Sequence, residues 1–268
     1  MMCMSIIGVI GGSGFYSLLE NAEVVNIETP FGWPSSPIAI GELGGRKVAF
    51  LARHGLKHEW PPHKIPYKAN IRALHDLGCR QVISASAVGS LKPKIRPGDF
   101  VVPDQFVNLT HGRDDTFYHG PETAHISSAD PYCPVLRDLL IDAADAAGLR
   151  VHPAGTIVVV QGPRFSTRAE SAFYRSQGWD IIGMTLYPEA VLARELEMCY
   201  ANISLVTDYD TGVEGDPSVP AVTGEDVLRV FEANSARLRQ LIREIIPSVP
   251  TSRACFCGHA LKGARLSK

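Results

Sequence analysis

Two aspartates, Asp208 and Asp210, are the side chains best placed in this sequence to do acid–base chemistry on one small ligand. They follow the apolar run Tyr200–Thr207, which is typical of a buried strand, and ligands bind at the carboxyl ends of strands in parallel α/β sheets. Because alternate residues of a strand point to the same face, both carboxyl groups should face one ligand. Their proximity should raise the pKa of one of them, so that it can act as an acid near neutral pH. The alternative is a surface turn with two solvated carboxylates, since Asp is common in turns.

Three earlier strands are also predicted to end in groups that suit an anion. A glycine turn lets backbone amides approach an anion closely, an arginine carries a fork of donors that matches phosphate or carboxylate, and a protonated histidine adds another donor. Each strand end taken singly is compatible with an ordinary turn, and Ser17 stands where a dinucleotide fingerprint would need glycine. Together the three predict a phosphate pocket. The groups are Gly11-Gly12-Ser13-Gly14, Arg53 with His54, and Ser86 with Ala87.

The composition excludes several classes of partner. The chain has 268 residues, of which 45% are hydrophobic and 20% charged, and its formal net charge is -2. This balance is ordinary for a globular protein and gives no reason to expect nucleic acid or an acidic membrane surface as a partner. No apolar run approaches the roughly 20 residues that span a bilayer, and Met1–Ile10 lacks the features of a signal peptide. We therefore expect a cytoplasmic protein.

The cysteines predict reduced thiols. All six are scattered and mostly lie in apolar surroundings, which favours core thiols over a disulfide framework. Cys255 and Cys257 are the exception, because with His259 they form a C-x-C-x-H pattern that could bind a metal or form a redox pair. The pattern lacks the second half of a zinc site, so we predict no metal site. We expect one domain over residues 1–247 and a poorly ordered tail over residues 248–268.

The sequence predicts that short apolar strands, separated by amphipathic helices, position these groups. Pro134–Ala147 has Leu and Ala on one stripe and is predicted to be helical, and Ala69–Leu77 also favours a helix. A long helix is predicted to begin after the cap Thr223 and to end at Pro247. Asn108–Ala129 is a long polar span, and such loops in compact domains tend to be functional or to contact a neighbour.

Short motifs occur in order from about Gly8 to Val230: GGSGFY, TPFG-x-PS, ARHG, ASAVGSL, PGD-x-VVPDQF, ADPYCP, QGPRFSTRAE, GMT-x-x-PE-x-x-LARE and TDYD. Together they resemble those of the 5′-methylthioadenosine phosphorylases, within the trimeric purine nucleoside phosphorylase family. The resemblance implies a single-domain α/β nucleoside phosphorylase fold with a central mixed β-sheet flanked by helices, assembled as a homotrimer or a dimer of trimers. It implies phosphorolysis of 5′-methylthioadenosine to adenine and 5-methylthioribose 1-phosphate. The implied partners are a nucleoside and inorganic phosphate, with no metal or organic cofactor.

The resemblance also implies roles for particular residues. Asp208 and Asp210 would meet a purine at N7 and at its exocyclic amine, and Asp208 argues for adenine because the 6-oxopurine enzymes of this group carry asparagine there. The residues implied to bind phosphate are Ser13, Arg53, His54, Ser86, Ala87 and Thr185. Those implied to bind the rest of the nucleoside are Phe165 beside the base, Met184 beneath the ribose, Val227 over the apolar 5′ end and His125 from a neighbouring subunit.

Other functions stay open at this point. A phosphorylase for 5′-methylthioinosine, for 5′-halo-5′-deoxyadenosine or for general purine nucleosides would carry much of the same motif set. A catalytically silent nucleoside-binding protein would keep the fold without the reaction. A nicotinamide-dependent dehydrogenase would have to bind its cofactor at Gly11–Gly14.

Overall fold

One mixed sheet forms the centre of the protein. In the computed structural model, the described residues are 6–12, 19, 21–213, 216 and 218–265. Eleven strands within these ranges belong to the sheet. They are β1 (Ile7–Gly11), β2 (Glu23–Val25), β3 (Ile38–Leu43), β4 (Arg46–Ala52), β5 (Gln81–Ser90), β6 (Phe100–Val101), β7 (Gln105–Leu109), β8 (Val151–His152), β9 (Thr156–Val160), β10 (Ile181–Gly183) and β11 (Cys199–Asp208).

Strand β5 is the axis of this sheet. Along one edge it pairs first with β1, in parallel, and then with β10, antiparallel. Along the other edge it pairs in parallel with the whole of β11, from Cys199 opposite Gln81 to Asp208 opposite Gly89. Because β1 is also parallel to β4, the carboxyl ends of β1, β4, β5 and β11 lie at the same edge of the sheet.

Helices cover both faces of the sheet, as predicted. They are α1 (Tyr67–Asp76), α2 (Pro134–Ala146), α3 (Arg168–Ser176), α4 (Leu186–Glu195) and α5 (Gly224–Ile245). Helices α2 and α5 pack together against β11, and α1 packs with α4. Strand side chains alternate between two apolar clusters, so that Val48 joins the α2/α5 side while Ala49 joins the α1/α4 side. Each face therefore has its own apolar core.

Helix α5 begins as the sequence predicts. The Thr223 side chain accepts a hydrogen bond from the backbone N–H of Asp226, and the Asp226 side chain reaches back to the cap, which completes a capping box. Phe231, Leu238 and Ile245 then fall on its buried side. None of the described helices combines the length and the apolar character that a membrane crossing needs.

Residues 249–265 pack on the domain. Val249 and Cys257 are each 2% exposed and belong to the α2/α5 core. The Arg194 guanidinium lies 4.8 Å from the ring centroid of Phe256, and Ala264 is buried. The poorly ordered tail predicted for residues 248–268 is therefore wrong for residues 249–265. Termini tend to be poorly ordered, but Val249, Cys257 and Ala264 of this segment are buried against the domain.

Candidate active site

The strand ends meet at one large cavity. Its volume is about 1170 Å³, which is ample for a small molecule with a small anion beside it. Ten of the sequence-predicted site residues line it: Arg53, His54, Ser86, Ala87, Phe165, Met184, Thr185, Asp208, Asp210 and Val227. Ser13 lies outside the described residues, although Gly12 before it also lines the cavity. His125 does not line the cavity and is exposed in the span between β7 and α2.

Arg53 lies at the floor of the cavity and is only 1% exposed. Its Nε and Nη2 donate to Glu189 at 2.7 and 2.9 Å, Nη2 also donates to Ser84 Oγ at 2.7 Å, and Nη1 donates to the Ala85 carbonyl at 2.8 Å. A guanidinium has five N–H groups, so one N–H of Nη1 is left for a ligand. Burial opposes the charge, but the Glu189 carboxylate outweighs burial and raises the pKa of Arg53. The two-pronged edge of the guanidinium, which the sequence analysis expected to face the anion, therefore bonds to Glu189 instead.

His54 enters the site as a neutral ring. Its Nδ1 lies 2.8 Å from the Trp60 carbonyl oxygen, which can only accept, so Nδ1 carries the hydrogen. Burial, opposed in part by that hydrogen bond and assisted by the charge of Arg53, lowers the pKa of His54 to about 4. The second nitrogen, Nε2, is then an acceptor at neutral pH. A donor at Nε2 would require a protonated ring, and the adjacent buried cation Arg53 is one of the groups that disfavour protonation.

Hydroxyl groups complete the floor. Ser86 Oγ lies 3.2 to 3.3 Å from the Asn202 side chain and from Ser204 Oγ, in a buried network between β5 and β11. Thr185 immediately precedes α4, and its side chain makes no capping hydrogen bond to that helix. Both hydroxyls line the cavity beside Arg53, so this end of the cavity offers donors and a buried cation to an anion.

Asp208 and Asp210 converge by a route that the sequence did not predict. The β5–β11 register shifts at a bulge between Val206 and Asp208, and Asp210 lies beyond the strand with a φ of 56°. The Asp208 Oδ1 accepts a hydrogen bond of 2.7 Å from the Asp210 backbone N–H, and its Oδ2 accepts one of 2.7 Å from the Thr207 hydroxyl. A bulge and a left-handed turn, rather than strand alternation, thus bring the two carboxyl groups to one cavity.

Both carboxyl groups favour the protonated form more than free aspartate does. Burial is the first cause that raises the pKa of Asp208, and the charge of Asp210 adds to it. Burial also raises the pKa of Asp210. The Asp210 Oδ2 is buried and has no well-aligned hydrogen bond among the described residues, although the Ser166 and Ser171 hydroxyls lie close enough to oppose part of the rise in the pKa of Asp210. The expected rise in pKa is present, but loss of water, not mutual repulsion, is its main cause.

The comparisons with known proteins agree with this geometry. Residues 6–247 match the family model described as "Phosphorylase superfamily". The chain belongs to the phosphorylase superfamily. A relative from Pyrococcus abyssi named S-methyl-5′-thioadenosine phosphorylase is 52% identical over 259 residues, which are 97% of this chain and 98% of that protein. One from Streptomyces coelicolor named purine nucleoside phosphorylase is 50% identical over 267 residues, 96% of this chain and 94% of that protein.

A solved member of the phosphorylase superfamily has the same fold. The structure of methylthioadenosine phosphorylase from Schistosoma mansoni in complex with adenine superposes with a TM-score of 0.91 at 34% identity, covering 98% of this chain and 99% of that chain. This confirms the predicted nucleoside phosphorylase fold with its central mixed sheet. None of these relatives is a dehydrogenase, and the dinucleotide alternative has no support.

Sequence reasoning gave no role to Glu189, although its carboxylate holds the Arg53 guanidinium in the present protein. Glu189 lies in α4 and is fully buried, and it also accepts a hydrogen bond of 2.6 Å from the Tyr200 hydroxyl. An acid within the largely apolar run Leu186–Leu192 was the available signal, because a buried carboxylate requires a partner.

Apolar side chains also line the cavity. Met184 packs so closely that a Cβ placed on Gly162 would lie 2.6 Å from its Sδ. Phe165 lines the cavity and is partly exposed to solvent, and Val227 and Leu228 of α5 line the cavity as well. The cavity therefore has an anion-binding floor, two buried acids and an apolar wall. It can hold an anion together with a molecule that has both a hydrogen-bonding part and an apolar part.

Proposed function

We propose that this protein cleaves 5′-methylthioadenosine with inorganic phosphate, giving adenine and 5-methylthioribose 1-phosphate. The observation that carries the proposal is that Arg53 and the pair Asp208–Asp210 line one cavity, with the pKa of both acids raised. An anion and a departing base need these two environments at once. The names of the close relatives and of the solved structure support the same reaction.

Phosphate binds at the floor. The remaining Nη1 donor of Arg53, the hydroxyls of Ser86 and Thr185, and the backbone at Ala87 hold its oxygens, and Ser13 adds a hydroxyl next to Gly12. Neutral His54 accepts the hydrogen of a protonated phosphate oxygen at Nε2. Phosphate is a weak nucleophile, so fixing it beneath C1′ in a site already organised for charge supplies much of the rate.

The aspartates receive the base. As the glycosidic bond stretches, the ribose becomes cation-like and negative charge develops on adenine. A carboxyl group whose raised pKa makes it hold a proton more readily than free aspartate can give that proton to N7 as the bond breaks, which is general acid catalysis. The Asp208 carboxyl group also accepts a hydrogen bond from the Asp210 backbone N–H, which holds the two acids close together beside the departing base.

The same pair selects the base. Asp208 is held by two donors that leave its remaining lone pairs to accept from the 6-amino group of adenine. A 6-oxo base would place an acceptor against an acceptor, and leaving such groups unpaired costs about 1–3 kcal/mol. Phe165 packs beside the base and Met184 beneath the ribose.

The 5′ end of the nucleoside lies toward Val227 and Leu228, where an apolar methylthio group suits the wall. A second candidate function is cleavage of purine nucleosides with other 5′ groups, as the name of the Streptomyces relative indicates. Gly224 lines the cavity, and a Cβ there would meet nothing within 4 Å. The space beside it suits a 5′-halogen or a hydroxyl, because apolar pockets reject an added hydroxyl only about a hundredfold.

The reaction uses no metal or organic cofactor in this proposal, and we place it in the cytoplasm. We also propose a homotrimer, in which His125 reaches the cavity of a neighbouring subunit. Exposed apolar side chains support an interface near the span that carries His125: Trp33 is 55% exposed, and Phe31, also exposed, lies 5.1 Å from the Phe117 ring.

One set of assays tests the function. Purified protein is given 5′-methylthioadenosine with and without phosphate, then adenosine, 5′-methylthioinosine and 5′-chloro-5′-deoxyadenosine with phosphate. We expect adenine release that requires phosphate and is fastest with 5′-methylthioadenosine. Faster cleavage of adenosine would favour the second candidate. Binding without any cleavage would leave only a silent nucleoside-binding protein.

A further inference from the structure

Four cysteines from three separate parts of the sequence meet at one point in the fold. The sulfur atoms of Cys133, Cys199, Cys255 and Cys257 all lie within 4.8 Å of one another. Three of the residues are buried, and Cys255 is half-buried. None of them lines the cavity that holds Arg53 and the aspartates, so the catalytic proposal gives this cluster no task.

The fold supplies the half of a metal site that the sequence pattern lacked. Cys133 is the residue before α2, and Cys199 is the first residue of β11. Cys255 and Cys257 flank Phe256, where a short 3-10 turn begins in the C-terminal segment. A C-x-C pair at a short turn, one cysteine before a helix and one at the start of a strand together make a four-ligand set.

The spacing suits a tetrahedral ion. Zinc bound to thiolates has Zn–S bonds of about 2.3 Å, so the sulfur atoms of a tetrahedron lie about 3.8 Å apart. Cys199 Sγ and Cys255 Sγ are 3.3 Å apart, and no pair in the cluster exceeds 4.8 Å. Two disulfides would need only two close pairs, whereas a single ion requires all four sulfurs to converge.

The surroundings can balance negative sulfur. Cys133 stands at the N-terminus of α2. Helix N-termini stabilise thiolates. The Arg253 guanidinium lies beside the turn that carries Cys257, since a Cβ on Gly258 would be 3.1 Å from the Arg253 Nη2.

We propose that Cys133, Cys199, Cys255 and Cys257 bind one zinc ion as a closed structural site. Each thiol releases its proton on binding, no electrons are transferred, and four thiolates with Zn²⁺ carry a net charge of about -2. Four thiolates leave no open position on the ion, so the site takes no part in the reaction. Soft thiolate ligands in this geometry select zinc over harder cations such as magnesium.

The ion fastens the C-terminal segment to the domain. That segment then braces the span between β7 and α2, because the His125 backbone N–H donates to the Ala264 carbonyl at 2.8 Å and Arg265 pairs with Glu122 at 3.0 Å. Loss of zinc is therefore expected to loosen residues 249–265 first and to lower the thermal midpoint of the whole domain.

Zinc content tests the proposal directly. Untagged protein is purified without chelators and analysed for metals by elemental mass spectrometry, as are the variants Cys255→Ser, Cys257→Ser and Cys79→Ser. Cys79 is the matched control, because it is a buried free thiol in the α1/α4 core. We expect about one zinc per chain in the parent and in Cys79→Ser, and a several-fold loss in the other two. Less than a tenth of a zinc per chain in the parent, or full zinc in the double variant Cys255→Ser/Cys257→Ser, overturns the proposal.

A measurement on the unaltered chain keeps the test independent of folding defects in the variants. Replacement of zinc by cobalt(II) should give thiolate-to-cobalt charge-transfer bands and the strong visible bands of a tetrahedral ion. Intact mass and thiol counting on freshly purified protein should show the four thiols unoxidised. Disulfides among these cysteines with no bound metal would contradict the site.

Discussion

Arg53 and Glu189 form a fully buried ion pair beneath the cavity, with the Arg53 Nε and a Glu189 carboxylate oxygen 2.7 Å apart. The pair fixes the guanidinium so that a single N–H of Nη1 remains for a ligand. Glu189 therefore positions Arg53 and does not itself contact the substrate. Its removal should affect both stability and the binding of phosphate.

Glu189→Ala should cost about 3–5 kcal/mol of unfolding free energy, because it leaves a buried guanidinium without its counter-charge. Asp76→Ala is the matched control, since it removes the acid of an exposed pair with Arg72 and should cost less than about 1 kcal/mol. Denaturant unfolding of both variants gives the comparison. The double variant Arg53→Met/Glu189→Ala should recover part of the lost unfolding free energy. If Glu189→Ala lowered the unfolding free energy no more than Asp76→Ala does, the pair would not be structural.

The His54 ring should titrate far below the usual range. Burial lowers its pKa to about 4 from the ordinary 6.5, so as the pH falls below 6.5 the unfolded chain takes up this proton before the folded one does. This group therefore makes the protein lose stability between about pH 6.5 and pH 4. Histidine NMR titration, with the resonance assigned by its loss in His54→Gln, checks the midpoint. A midpoint near 6.5 would mean that burial and Arg53 do not disfavour the charged form of the ring.

Asp208→Asn should move base preference from adenine toward hypoxanthine. The amide keeps one acceptor for the Asp210 backbone N–H, and its new N–H₂ can face the Thr207 hydroxyl or a 6-oxo group. The ratio of kcat/KM for 5′-methylthioadenosine to that for 5′-methylthioinosine should fall at least tenfold, or about 1.4 kcal/mol. An unchanged ratio would remove Asp208 from base recognition.

The same variant should alter the pH profile. If the acid pair supplies a proton, activity falls as the pH rises through its raised pKa, and Asp208→Asn should shift or remove that limb.

His125 should act on a neighbouring subunit. His125→Ala and Asp210→Ala are each expected to reduce turnover sharply, and hybrids made by co-expression should recover activity above the average of the two parents. Recovery arises because some cavities in a mixed assembly combine intact acids with an intact His125 from the next chain. Hybrids that show only the average, or a monomer by analytical ultracentrifugation, would refute the assignment.

Much of the architecture follows from local pattern. The stripe of Leu and Ala in Pro134–Ala147 and the capping box at Thr223 predict α2 and α5, and both are present. Site residues that directly follow strands, such as Arg53 after β4, could be located because parallel strands deliver their ends to one edge.

What the sequence could not supply depends on contacts between distant residues. Arg53 and Glu189 are 136 positions apart, so the use of the guanidinium by a buried acid has no local signature. The bulge before Asp208 likewise belongs to the pairing with β5, and the left-handed turn at Asp210 follows directly after it. The four-cysteine cluster joins α2, β11 and the C-terminal segment, whereas the sequence shows only a C-x-C pattern. The role of Ser13 stays a prediction.

The central claim is that phosphate, held over Arg53, attacks C1′ while the aspartates receive the base. Reaction of 5′-methylthioadenosine with phosphate labelled at every oxygen with ¹⁸O, followed by mass spectrometry of the sugar phosphate, tests it most directly. We predict 5-methylthioribose 1-phosphate that keeps every heavy oxygen, because the bridging oxygen comes from the attacking phosphate. A product lacking one heavy oxygen, or free 5-methylthioribose formed at the same rate without phosphate, would contradict the claim.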